Sequence, residues 1–115
     1  MTDSTGKQTL LRIFLSEHDK FHHKPTYLQI LELLRREKIA GATVLRGVAG
    51  FGAKSHIHNA AILDISNNLP LVIEAVDTEQ AIRGILPKLD PMIADGLVTL
   101  ETVEVIRCKP VNPPR

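Results

Sequence analysis

The chain has one cysteine, no tryptophan, one tyrosine and three phenylalanines. With Cys108 alone, no internal disulfide is possible, and the cytoplasm is the expected compartment. Base-stacking platforms for single-stranded nucleic acid need aromatic side chains, and here they are scarce. Charge of one sign is lacking too. Fourteen Lys and Arg face 13 Asp and Glu, a formal net charge of +1, so there is no electrostatic footprint for nucleic acid. No apolar run is long enough to cross a bilayer. Met1 to Thr9 is polar and carries no apolar signal-peptide core. What is present is 115 residues, 43% of them hydrophobic, an ordinary composition for one globular domain with one core.

The apolar pattern alternates between strand and helix periods. Leu10 to Ser16 is expected to be the first strand, with Leu11, Ile13 and Leu15 on one face and Arg12 and Phe14 on the other. The polar segment Glu17 to Lys24, holding three histidines, reads as a loop. Pro25 suits the first turn of a helix, along which Tyr27, Ile30, Leu31 and Leu34 recur at helical spacing. Gly41 is expected to stop that helix or to lie just beyond its end. Ala42 to Arg46 is the second strand. Gly47 to His58 is glycine-rich and predicted to be irregular, and Gly47 to Asn59 is expected to be the least ordered internal stretch when no ligand is bound. Ala60 to Ser66 is a third strand, joined by Asn67-Asn68 to a fourth, Leu69 to Val76, as a hairpin. Asp77 is the expected cap of a second helix, with Gln80 completing a capping box. Ile82, Ile85, Leu86 and Leu89 form its buried stripe, and Pro87 threatens a kink. Asp95-Gly96 is a turn, and Leu97 to Ile106 is the last strand. The expected boundaries are a flexible N-terminus over 1–9, one domain over 10–107 and a flexible tail over 108–115. With four of these strands in one antiparallel sheet the order is βαββαβ, an α+β ferredoxin-like sandwich, and the fifth strand segment, an additional C-terminal one, is free to cross between neighbours.

Two helices can cover only one face of such a sheet, yet both faces carry apolar residues. The first strand offers Leu10 and Phe14 opposite Leu11, Ile13 and Leu15. The fourth offers Val72 and Val76 opposite Leu71, Ile73 and Ala75. A one-sided antiparallel sheet should alternate apolar and polar. The second face is therefore expected to meet other copies of the chain around a three-fold axis. The alternative is a monomer with a few exposed valines.

Chemistry-bearing residues cluster after the second strand. In the stretch from Arg46 through Gly47, Gly50, Phe51, Gly52 and Lys54 to His56, three positions without a Cβ allow close backbone approach. Successive free N–H groups there can cradle an anion. It is neither a Walker A loop nor a dinucleotide fingerprint, because the lysine spacing is wrong and a strand follows. A plain flexible connection is the competing reading. His56 and His58 are spaced for a metal, but no carboxylate or second cysteine completes a set. No nucleophile elbow accompanies Ser16, Ser55 or Ser66. Asp64 and Glu74 are either a buried pair or ordinary polar strand positions. Cys108, between Arg107 and Lys109, has no evident base.

At Gly41-Ala42-Thr43-Val44-Leu45-Arg46-Gly47-Val48-Ala49-Gly50-Phe51-Gly52 the chain resembles the PII-like proteins of the domain of unknown function 190 family. The likeness continues through Ser55-His56-Ile57-His58, Leu69-Pro70-Leu71-Val72-Ile73-Glu74-Ala75-Val76-Asp77 and Gly96 to Glu101, spanning about Leu10 to Arg107. The resemblance implies a ferredoxin-like trimer that binds adenine nucleotides between subunits and contacts a target through a long loop. Gly50-Phe51-Gly52-Ala53-Lys54 is similar to the start of the PII target-contacting loop. Asp95-Gly96 and a strand ending at Arg107 are similar to the PII nucleotide loop and its phosphate-binding arginine. Three PII features are missing. No glutamine follows Gly52, Leu97 replaces a lysine, and Gly47 to Asn59 holds no tyrosine.

Two readings from different classes follow, with a small enzyme behind both. The first is a non-catalytic regulatory homotrimer. A small anionic ligand, an adenine nucleotide among the candidates, would sit in an intersubunit cleft walled by Arg46 to Lys54, His56 and Arg107. It would order the loop 47–59 toward a protein target such as a membrane transporter or an enzyme. The second is a metal-binding trimer using His56 and His58. No cofactor is fixed by either.

Overall fold

The computed structural model describes residues 5–52, the backbone of 58–59, and residues 68–108. Strand β1 spans Gly6–Ser16 and runs into a small hairpin, β2 (Lys20–Phe21) and β3 (Lys24–Pro25). Helix α1 (Thr26–Arg36) follows, then β4 (Thr43–Arg46). A second small pair, β5 (Ala49–Gly50) and β6 (His58–Asn59), precedes β7 (Pro70–Asp77). Helix α2 (Glu79–Leu89) passes through a 3-10 turn at Asp90–Met92 into β8 (Leu97–Val105). The main sheet has the order β4-β7-β1-β8, and every neighbouring pair is antiparallel. This is the ferredoxin-like arrangement.

β1 occupies the interior because its alternation satisfies two environments. Leu11, Ile13 and Leu15 are buried with Leu71, Ile73 and Ala75 of β7. Against them pack Ile30, Leu33 and Leu34 from α1 and Ile82, Ile85 and Leu89 from α2. The strand begins at Gly6, not Leu10. Gly6 to Thr9 pair with Thr102 to Val105 of β8, so these residues belong to the sheet and not to a loose terminus.

Several local devices differ from those the sequence suggests. Pro25 is the N-cap of α1 and not its first helical residue. Gly41 does not end that helix. Lys38 takes the left-handed position (φ 63°), with its N–H donating to Arg35 O at 3.1 Å and the Ile39 N–H to Leu34 O at 3.0 Å. These are the two bonds of a Schellman stop, and burial of Ile39 outweighs the preference for glycine. Thr78, not Asp77, caps α2, its hydroxyl accepting from the Ala81 N–H at 3.1 Å. Position three of the helix is then Ala81, so Gln80 is out of step for a capping box. Asp77 instead accepts from the Ala40 and Thr78 N–H groups, at 3.0 and 2.7 Å. It thereby ties the link between α1 and β4 to the start of α2. Pro87 sits in the last turn of α2, which continues to Leu89.

The expected third strand, Ala60–Ser66, lies outside the described residues. β7 has β4 along Leu71–Glu74 and β1 along its whole length, so its hairpin partner is β4. Nor is the glycine-rich connection wholly irregular, since Ala49 and Gly50 pair with Asn59 and His58. β8 ends at Val105. Residues 109–115, most of the expected tail, lie outside the described residues.

Gly96 shows why the turn before β8 needs glycine. A Cβ there would lie 2.6 Å from Phe14 O and 2.9 Å from Ile93 Cγ2. Gly84, exposed in α2, has open space around it. We expect Gly96→Ala to destabilise by about 1–3 kcal/mol, the usual cost of forced overpacking. Gly84→Ala should stabilise by about 0.5–1 kcal/mol through helix propensity. Urea denaturation of both variants checks the opposite signs. A second expectation concerns Glu37, at the end of α1, whose carboxylate lies 2.8 Å from Lys88 Nζ. The hydrogen bond from Lys88 holds its pKa below the ordinary glutamate value. A lowered pKa contributes stability above the unfolded value and loses it as pH falls through the folded one. The stability difference between wild type and Glu37→Gln should therefore shrink between neutral and strongly acid pH, as followed by thermal melts.

Candidate ligand site

The end of the sheet where β4 finishes is built around Pro70. Gly47 N–H donates to Pro70 O at 2.7 Å. A Cβ on Gly47 would meet Pro70 Cγ at 2.8 Å, and one on Gly50 would meet it at 3.1 Å. Two of the three loop glycines thus let the chain lie directly over the proline ring. Gly52 has open space. Val48 and Phe51 are left projecting, 76% and 69% exposed.

Arg46, the last residue of β4, points its largely exposed guanidinium at Glu17, Nε to Oε2 3.1 Å. The Glu17 side chain is mostly buried. Its Oε2 makes an ion pair but accepts no well-directed hydrogen bond among the described residues. The Glu17 N–H donates to Leu69 O at 2.9 Å, and the His18 N–H to Asn68 Oδ1 at 2.9 Å. The base of the 47–69 connection is therefore fastened from both sides to the segment that follows β1.

Arg107, exposed after β8, is not near Arg46 in one chain. Arg46 is level with Leu71 and so with Leu15, whereas β8 ends level with Gly6. The nine-residue offset along β1 corresponds to about 30 Å at ~3.3 Å per residue. In one chain these two arginines stand at opposite ends of the sheet. Lys54 and His56 lie outside the described residues, and of His58 only the backbone is described, so the histidine pair has no geometry to report. Cys108 is half-buried and free. Asp64 is outside the described residues, and Glu74, its suggested partner, is paired elsewhere.

That pairing lies on the sheet face the helices leave open. Arg12 Nε contacts Glu74 Oε2 at 2.8 Å, and its Nη1 contacts Glu101 Oε1 at 3.2 Å. The hydrogen bond to Glu74 is the largest influence raising the Arg12 pKa. One arginine on β1 thus links both neighbouring strands. Around this row the registers place Leu10, Phe14, Leu45, Val72, Val76, Leu97 and Val103 on the same face, with Phe14, Leu45 and Leu97 substantially exposed. The alternation of β1 put Arg12 on this face. Its bond to Glu101, 89 positions away, depends on register and had no signal in the sequence.

The geometry predicts that the glycines are not equivalent. Gly47→Ala should displace Pro70 and break the Gly47 N–H bond, speeding amide exchange at position 47 and lowering the melting temperature. Gly52→Ala should leave both nearly unchanged. Hydrogen exchange and thermal melts on the pair of variants check this.

Known proteins resemble this chain at both levels. The model of the DUF190 family, described as "Uncharacterized ACR", matches residues 8–105. A UPF0166 protein of Aquifex aeolicus (strain VF5) is 40% identical over 100 residues, covering 87% of this chain and 94% of that protein. A UPF0166 protein of Methanocaldococcus jannaschii is 39% identical over 102 residues, covering 88% and 94%. Among solved structures, CPII from Thiomonas intermedia K12 superposes with a TM-score of 0.68 at 18% identity, covering 89% of this chain and 91% of that one. CPII is a nitrogen regulatory PII-like protein, and that structure is bound to ADP, AMP and bicarbonate. A Thermus thermophilus protein, a candidate PII-like signalling protein, superposes with a TM-score of 0.64 at 16% identity, covering 92% and 94%. The structural likenesses carry the fold and the family match carries kinship: the chain belongs to the DUF190 family and has a PII-like fold.

Proposed function

We propose that this chain is a PII-like regulatory protein that binds an anionic ligand, best fitted by an adenine nucleotide, between subunits of a homotrimer. The ligand's phosphates meet Arg46 and the backbone N–H groups from Gly47 to Gly52 on one subunit and Arg107 on the next, with Lys54 and His56 as further donors. Binding orders the 47–59 loop, and the ordered loop changes affinity for a protein target, a coupling that requires the ligand to favour one loop state. The role is binding rather than catalysis.

One observation carries this reading. The glycine-rich connection springs from an exposed arginine at the end of β4, on a fold shared with CPII, which is bound to ADP and AMP. Arginine suits the task because its planar fork can grip an oxyanion through two parallel bonds and stays charged. The open sheet face supports assembly, since its apolar row lacks a helix to cover it among the described residues. The separation of Arg46 from Arg107 supports a site shared between copies.

A thermal-shift screen of ATP, ADP, AMP and bicarbonate tests the ligand. A nucleotide at about 100 times its dissociation constant should stabilise the fold by about 2.7 kcal/mol. Calorimetry on Arg46→Ala and Arg107→Ala should then show losses of about 1.5–3 kcal/mol, about ten- to a hundredfold in affinity. Light scattering should return a trimer, and Phe14→Asp should dissociate it. Unchanged affinity in both arginine variants, with the trimer intact, removes the site.

A further inference from the structure

We propose that Glu17 is a built-in competitor for the anion at Arg46, its carboxylate holding the guanidinium that a ligand oxyanion must take over. The inference rests on the reading of Arg46 as an anion-binding residue and names the group of this chain that opposes binding there. In the sequence Glu17 opens a polar segment after β1 and has no evident partner. The structure sets its Oε2 3.1 Å from Arg46 Nε. Among the described residues no other carboxylate pairs with Arg46.

The two partners differ in freedom. The Arg46 side chain is 64% exposed and that of Glu17 only 16%. The other carboxylates paired with a basic side chain among the described residues are between 29% and 65% exposed. The backbone around Glu17 is fixed as well. Its N–H donates to Leu69 O at 2.9 Å and the His18 N–H to Asn68 Oδ1 at 2.9 Å. The Ser16 N–H donates to Asp19 Oδ2 at 3.1 Å, which also takes up the neighbouring carboxylate. Three successive N–H groups are thus committed, so the Glu17 carboxylate stays in place and the Arg46 side chain is the partner able to leave.

As a stabilising contact the pair is poor. Glu17 Oε2 is buried yet accepts no well-directed hydrogen bond among the described residues, and a buried charge in that state costs stability. The rival role, orienting the guanidinium for the ligand, requires a bond directed from Nε–H, and Oε2 receives none. A misdirected contact acts through charge. A carboxylate beside Arg46 offsets the arginine's attraction for a second anion and loses its counter-charge when the guanidinium turns to that anion. Both effects have the same sign, so neutralising Glu17 strengthens anion binding.

Calorimetry on the full-length protein, with ADP and with inorganic pyrophosphate as probes, compares wild type, Glu17→Gln, Arg46→Ala and the double variant. Glu17→Gln should bind at least about threefold tighter, the scale of a partly exposed ion pair, with a melting temperature equal to or above that of wild type. The same substitution made on Arg46→Ala should give a smaller gain, because the contested guanidinium is gone. In wild type the carboxyl carbon resonance of Glu17 should move on adding pyrophosphate toward its position in Arg46→Ala, a readout that needs no change at Glu17. Unchanged or weaker binding by Glu17→Gln, a lower melting temperature, an equal gain with and without Arg46, or a carboxyl resonance that stays put overturns the proposal. ADP binding to wild type with no gain in Glu17→Gln removes this inference and leaves the nucleotide reading standing. Pyrophosphate binding with the gain, but no ADP binding, does the reverse. Binding of neither anion to either protein removes both.

Discussion

Strand β1 is hydrogen-bonded along both edges and apolar on both faces, and the rest of the molecule is arranged around that constraint. One face is closed by α1 and α2 over Leu11, Ile13 and Leu15. The other has no helix among the described residues, because a βαββαβ chain supplies only two and both crossovers lie on one side. Leu10 and Phe14 are consequently left to a partner or to water, and burying such side chains is worth about 1.5–3 kcal/mol each. Arg12 interrupts this row. An isolated guanidinium in an apolar surface would resist burial, but Glu74 and Glu101 on either side satisfy it. Partly exposed pairs of this kind add little net stability.

The same strand sets the geometry of function. Its Ser16 end meets Pro70, Glu17 and the root of the glycine-rich connection. Its Gly6 end meets the last residues of β8. The Arg46–Glu17 ion pair, the Gly47 bond to Pro70 O and the Glu17 bond to Leu69 O make one rigid base from three chain segments.

Much of this was legible from side-chain periodicity. Leu11, Ile13, Leu15, Leu71, Ile73 and Ala75 announced the buried face, and Ile82, Ile85 and Leu89 the stripe of α2. The element order followed from them. Where the reading failed, long-range contacts outweighed local preference. Lys38 ends α1 in a conformation glycine would take more readily, because Ile39 must reach the core. Asp77, a natural helix cap, is drawn to the Ala40 N–H, and Thr78 caps in its place. The strand at Gly6 to Thr9 looked like a polar terminus, since only pairing with β8 makes it a strand.

The sequence by itself determined the class of fold, the two-sided apolar sheet and the glycine-rich stretch with its arginine. Those depend on residue type and on periods of two and 3.6, which are local properties of the chain. Only the tertiary structure decided which strands are neighbours and which charges meet. Arg12 with Glu101, Arg46 with Glu17 and the separation of Arg46 from Arg107 are set by strand register. Register is a relation between segments far apart in sequence, and a slip of one residue would send every side chain to the opposite face.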